Sequence, residues 1–291
     1  MSDRARIGRW VTFVRERCSL PALTVVGLAQ SLSACYLFRS RLDAGAAAVS
    51  TLGIIGLLVL IRLMDEVKDY EKDRVAHPER PLPRGLLTTA EVRGGVRVAA
   101  AALVAFAGVL AGARRPEAAT LYAVTVGYAL LMYREFFAPH LLHRHAFAYA
   151  LTHLVAVIPM YAFAVAMASP GDAFSERTLW FSLTGLGASL AYEVGRKLDP
   201  DAHPALGTYL HLYGRARTAI AILAGLALLV VAAHRLDVDV VVWPFVALVL
   251  LTLPLIFVRP RRFRSVEGAT ALLSLVQTLA PALRHAWKAV V

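Results

Sequence analysis

The chain has 291 residues, carries 31 Lys and Arg against 20 Asp and Glu for a formal net charge of +11, and is 58% hydrophobic, with a mean hydropathy of +0.60. Soluble domains run nearer about 45–50% apolar, so a soluble globule is excluded and a polytopic membrane protein is expected. The positive balance reads as attraction to anionic headgroups rather than to nucleic acid, because no soluble basic domain is present to hold a duplex.

Apolar stretches long enough to cross about 30 Å of hydrocarbon run near 19–38, 44–64, 90–112, 117–133, 146–168, 178–195, 216–234, 239–258 and 267–289. They predict an all-α bundle of nine transmembrane helices around a central cavity, as one domain over 1–291. The stretches 117–133 and 178–195 are short and carry Tyr, Ser or Gly, as cavity-lining helices do. The first stretch is full length with no small-residue cleavage site, so it is expected to stay as a helix rather than leave as a signal peptide. Cys18 and Cys35 lie about 25 Å apart by helical rise, beyond disulfide reach. With nine crossings the loops fall on alternate sides. Only Arg39, Arg41, Arg114, Arg115, Arg177, Arg235, Arg284 and Lys288 lie on one of them. The other side, rich in Lys and Arg and carrying the longer polar loops, is expected to be cytoplasmic, with the cavity open to it. The protein is therefore expected to sit in the cytoplasmic (inner) membrane.

The end of the second stretch carries Asp65, Glu66, Asp69 and Asp73. On one continuous helix turning about 100° per residue, Asp65, Asp69 and Asp73 drift about 40° per step and Glu66 falls beside them. Four carboxylates on one face need a cation, and hard oxygen ligands favour Mg²⁺, which binds through one or two carboxylates plus substrate phosphates. The competing reading is a solvated helix end whose acids are balanced by Lys68, Lys72 and Arg74. A second constellation follows the sixth stretch: Glu193 and Lys197 stand one turn apart, as do Tyr192 and Arg196. Two cations over an acid can neutralise an anionic substrate, or they can stabilise the helix C-terminus and orient the chain. Asp199 and Asp201 flank Pro200, where a turn role and metal binding are both open.

These residues resemble the UbiA superfamily of intramembrane prenyltransferases. Asp65-Glu66-x-x-Asp69-x-x-x-Asp73 followed by Arg80-Pro81-Leu82-Pro83-x-Gly85 is similar to its first motif, N-D-x-x-D-x-x-x-D with a downstream R-P-x-x-x-G. The resemblance implies a helical bundle with a central cavity in which Mg²⁺, held by two motifs, binds a prenyl diphosphate whose tail lies between helices. Two departures stand out: Asp65 and Glu66 occupy the places of Asn and Asp, and Arg196 and Lys197 follow Glu193 where a further acid is usual. One metal site is then replaced by direct cation-to-phosphate contacts. A branch with an E-x-x-R-K second motif and a preceding E-F-F segment is matched by Glu193, Arg196 and Lys197 and by Glu135, Phe136 and Phe137.

The expected chemistry is cleavage of an allylic C–O bond, with several developing negative charges to stabilise in a water-poor site. Asp65, Glu66, Asp69, Asp73 and Glu193 are the expected metal ligands. Lys68, Arg74, Arg80, Arg134, Arg196 and Lys197 are candidate substrate contacts, Arg134 and Lys197 foremost, since Lys68 points about 100° away from Asp69. Tyr128, Tyr133, Tyr149, Tyr161 and Tyr192 offer faces to a carbocation, though each alone reads equally well as packing. His153, inside a crossing, is placed to position an acceptor or take a proton, with a structural role equally open. His140, His143 and His145 read as loop histidines rather than a zinc set, because Arg144 sits among them and no Cys or acid completes it. The expected function is Mg²⁺-dependent transfer of a prenyl group from its diphosphate to an aromatic or lipid acceptor, with membrane lipid as the surrounding partner. A terpene cyclase that quenches the cation internally is the alternative. A transporter ranks last, because no inverted repeat is visible.

Overall fold

A computed structural model describes residues 3–290, without the side chains of residues 3–5 and 143. The described residues fold into fourteen α-helices: α1 Asp3–Arg17, α2 Leu20–Arg39, α3 Ala44–Lys68, α4 Tyr70–Ala76, α5 Thr89–Gly112, α6 Pro116–Tyr133, α7 Pro139–Arg144, α8 Ala146–Leu154, α9 Val157–Ala168, α10 Glu176–Gly195, α11 Tyr209–Arg235, α12 Asp239–Thr252, α13 Leu255–Val258 and α14 Phe263–Val290. Starts are set by capping chemistry. The Asp43 carboxylate accepts from Ala46 N at 2.9 Å before α3. Thr88 and Glu91 form a capping box before α5, and Ser175 accepts from Thr178 N before α10. Each satisfies amide groups that the first turn leaves without partners, which matters most where water is scarce.

Of the nine stretches read as crossings, seven are long and apolar enough among the described residues. The two that fall short are α6 and α10, whose Glu, Tyr, Thr, Ser and Gly content lowers their apolarity. The stretch read as a single crossing over 146–168 is two helices with a break at Val155 and Ala156.

Small residues let the long helices approach closely, as in membrane bundles generally. A Cβ on Gly187 of α10 would lie 2.7 Å from the carbonyl oxygen of Gly225 on α11, so the two backbones touch. The bundle has two polar ends. At one, Lys68 reaches Met132 O and Tyr213 Oη accepts from Ala146 N. At the other, Arg115 donates to Met167 O and Arg284 to Asp237 O.

Helix α1 packs at the first end through its own Phe13, which is fully buried. It is tied down three times: Arg9 pairs with Glu91, Arg84 with Glu16 at 2.7 Å, and Arg17 with Glu66 at 2.5 Å. The hydrogen bond from Arg84 holds the Glu16 carboxyl below the usual carboxylate range. Cys18 and Cys35 are free and buried.

Candidate active site

Helix α3 ends at Lys68, and Asp69 both closes it and opens α4. The predicted continuous acidic helix is therefore two segments hinged at its central acid. Backbone bonds from Asp69 N to Asp65 O and from Asp73 N to Asp69 O, both 2.8 Å, carry the turn across the hinge. This keeps Asp65, Asp69 and Asp73 on one side, at the mouth of a cavity of about 600 Å³.

The second constellation meets them there. Glu193, Arg196, Lys197 and Asp199 line the same mouth, together with Lys72, His77 and Arg80. Glu193 holds both cations: Arg196 Nε donates to it at 2.7 Å and Lys197 Nζ lies 2.6 Å away. Lys197 also stands 5.4 Å from the centre of the Tyr209 ring, a second attraction that fixes its position. Below the mouth the walls turn apolar, with Leu57, Ile61, Met132, Leu154, Val157 and Met160. The α8–α9 break lies in this wall, because Leu154, Ala156 and Val157 all line it.

A third group stands in the wall beside the acids. Lys68 Nζ donates to Tyr149 Oη at 2.8 Å and Met132 O at 3.1 Å, and lies 3.3 Å from His153 Nε2. Glu135 is 3.6 Å from the same ammonium. His153 Nδ1 is 2.8 Å from Tyr149 O. A carbonyl can only accept, so Nδ1 carries the hydrogen and Nε2 accepts from Lys68. His153 thus positions Lys68. The Glu135-Phe136-Phe137 segment frames this group in a left-handed turn, with φ of 49°, 51° and 57°. Phe136 packs edge-on against Tyr128 and His153.

Several expected site residues lie elsewhere. Glu66 is buried and turned onto Arg17, outside the cavity lining. It sits about 100° round the helix from Asp65, and the neighbour on that side is α1. Arg74 is exposed and paired with Glu71. Arg134 is exposed, and neither it nor Tyr133 nor Tyr192 lines the cavity. Of the five tyrosines named from the sequence, Tyr149 alone does. Arg80 lines the mouth while paired to the buried Asp73 at 2.6 Å. Asp199 accepts from Asp201 N at 2.9 Å, so it makes the turn and still faces the mouth, whereas Asp201 points to Arg261. The His143 side chain lies outside the described residues.

Lys72, His77 and Thr208 line the site but were not among the candidates. Lys72 was legible: it follows Asp69 by three residues, one helical turn. His77 and Thr208 carry no periodic signal.

The acids fit a divalent cation. Among the described residues no three Asp, Glu, His or Cys side chains lie close enough to cage an ion unaided. Mg²⁺ does not require that, since it keeps waters and takes substrate phosphates as ligands. Asp65 and Asp69 face the cavity and repel one another, and no described cation pairs with either at salt-bridge distance. Asp73 is already occupied by Arg80.

The fold matches the apo structure of a UbiA homolog from Aeropyrum pernix K1, with TM-score 0.62 and 18% sequence identity over 89% of this chain and 95% of that one. No curated protein matches the chain. The model of the UbiA prenyltransferase family matches residues 22–276, which contain every cavity-lining residue named above. The chain belongs to the UbiA prenyltransferase family.

Proposed function

We propose that the protein is an Mg²⁺-dependent intramembrane prenyltransferase that moves a prenyl group from its diphosphate to an aromatic or lipid acceptor. One observation carries the reading: two charged motifs more than a hundred residues apart converge on the mouth of one cavity whose interior is apolar. An amphiphile with a highly charged head and a hydrocarbon tail suits that division.

Asp65 and Asp69 would hold Mg²⁺, which when bound supplies charge neutralisation to a departing diphosphate. Arg196 and Lys197 contact the phosphates directly, shifting part of their charge from Glu193 to the substrate. The allylic C–O bond breaks with its electron pair leaving on diphosphate. The acceptor then supplies a new pair to the cationic carbon and loses a proton. Tyr149 lines the cavity, and its ring would stabilise positive charge there. The apolar wall excludes water, which would otherwise trap the cation. The mouth faces the cytoplasm, because the basic residues of the chain concentrate at that end.

The test is incubation of detergent-purified protein with Mg²⁺ and prenyl diphosphates of several lengths, with and without phenolic and lipid acceptors, following diphosphate release. Acceptor-dependent release with an alkylated product is expected. Release without acceptor, accompanied by a hydrocarbon or cyclic alcohol, would replace transfer by cyclisation. No release with any donor would overturn both.

A further inference from the structure

The apolar part of the cavity has a definite depth. On α3 its lining runs from Asp65 at the mouth through Ile61 to Leu57, eight residues or about 12 Å of helix rise. On the facing wall it ends at Met160.

Both ends of the lining are backed by rigid packing. The carbonyl of Met160 accepts from the buried Gln30 Nε2 at 3.1 Å, which fixes this point of α9 against α2. One turn below Leu57, a Cβ on Gly53 would lie 3.0 Å from the Phe163 ring and 3.1 Å from Phe106. Tyr122 Oη donates to the Gly53 carbonyl at 2.8 Å, and the Tyr122 ring lies 4.8 Å from that of Phe163 and 5.0 Å from that of Phe106. Tyr122 and Phe163 are almost completely buried. Three aromatic rings therefore plug the bundle just below the cavity.

We infer that Leu57, Met160 and this aromatic plug form a floor that selects short prenyl donors. The inference rests on the reading of the site as a prenyl diphosphate site and narrows its substrate class. With carbon–carbon bonds of about 1.5 Å, an isoprene unit extends roughly 5 Å, so about 12 Å takes two to three units, a C10 or C15 diphosphate. A C20 tail has to fold back or displace the floor. Dense interiors resist such displacement. Met160 is the adjustable element, because its unbranched side chain faces the cavity while its carbonyl is held from behind.

The experiment measures kcat/KM for diphosphate release with C10, C15 and C20 donors on wild type, Met160→Ala and Ala156→Leu. Each variant is scored by the ratio of two donors on one sample, so loss of folded protein cancels. Wild type is expected to favour C10 or C15 over C20 by about tenfold or more. Met160→Ala should raise the C20-to-C10 ratio about tenfold, and Ala156→Leu, partway down the wall, should lower the C15-to-C10 ratio. Equal use of C10 through C20 would overturn the floor while leaving the prenyl diphosphate reading standing. A short-donor preference that neither variant moves would remove Met160 and this wall from the selection. Absence of release with every donor would overturn the site reading and the floor together.

Discussion

The two polar ends of the bundle handle carboxylates differently. At the end away from the cavity, Asp237 is held by Arg284 and by Lys288, whose ammonium lies 2.5 Å away. The hydrogen bond from Lys288 keeps the Asp237 carboxyl below the usual carboxylate range. Asp239 there meets His234, Glu117 accepts from Gly171 N, and Glu176 from Trp180. At the cavity end, Glu66, Asp73 and Glu193 are likewise paired, yet Asp65 and Asp69 face the cavity without a salt bridge to any described cation. The far-end acids named here are matched within the chain. Among the described residues, Asp65 and Asp69, neighbours on one side of the mouth, are left without such a partner.

That contrast is broken most directly at Asp69. Asp69→Ala should lower turnover by about a thousandfold or more while the protein stays folded in detergent, and near-normal diphosphate release would refute the metal assignment. Asp69→Asn, which keeps shape and removes charge, should be nearly as damaging.

Lys197→Ala comes next. It should raise KM for the donor and lower kcat, together by about one to two orders of magnitude, because the charge acts on binding and on departure of the leaving group. Added Mg²⁺ should not restore it. Unchanged kinetics with poorer expression would assign Lys197 to anchoring the helix end.

Arg17→Ala probes the paired acid that lies one residue from Asp65. Stranding the buried Glu66 should cost about 3 kcal/mol or more, read as a lower melting temperature in detergent, with the Mg²⁺ concentration for half-maximal activity unchanged. A shifted Mg²⁺ requirement would return Glu66 to the ligand set.

The smallest effect is expected at the far end. Asp237→Asn should cost less than about 1 kcal/mol and leave turnover within about twofold of wild type, and a large activity loss would erase the difference between the ends. Cysteines placed at Gly85 and Asp172 sharpen the comparison topologically: the first should react only from the cytoplasmic face and the second only from outside. Labelling of both from one side would reverse the assignment of the mouth.

The sequence carries the site where periodicity alone decides. Asp65, Asp69 and Asp73 share a side because four-residue spacing survives the hinge at Asp69, and Glu193 meets Arg196 and Lys197 because they are one turn apart. It fails where a third element intervenes. Glu66 differs from Asp65 only in facing α1, and nothing in the local pattern shows that Arg17 will lie there. Arg134 reads from the sequence as a phosphate contact, but the chain turns left-handed directly after it and leaves it exposed. Helical angle argues against Lys68 as a substrate contact. Angle from Asp69 does point it away from the mouth, but into the wall, where Tyr149 and His153 come from a helix eighty residues later. The broken crossing at Val155 and Ala156 has its signal at Pro159, which lacks the amide that would bond to Val155 O and whose ring crowds that carbonyl, although the apolar run reads as continuous around it.

The left-handed turn at Glu135, Phe136 and Phe137 has an energetic corollary. Left-handed backbone costs about 1–2 kcal/mol for each residue with a side chain, and three in a row approach the net stability of a small domain. Two backbone bonds of the turn, Phe137 N to Arg134 O at 3.0 Å and Ala138 N to Glu135 O at 2.9 Å, offset part of this. Neighbours add to that offset: Lys68 opposite Glu135, and Tyr128 and His153 against Phe136. Turn and cavity wall therefore make one cooperative unit of local unfolding. Loosening the lysine cluster releases the turn, and amide hydrogen exchange should see residues 135–137 and 149–153 open together.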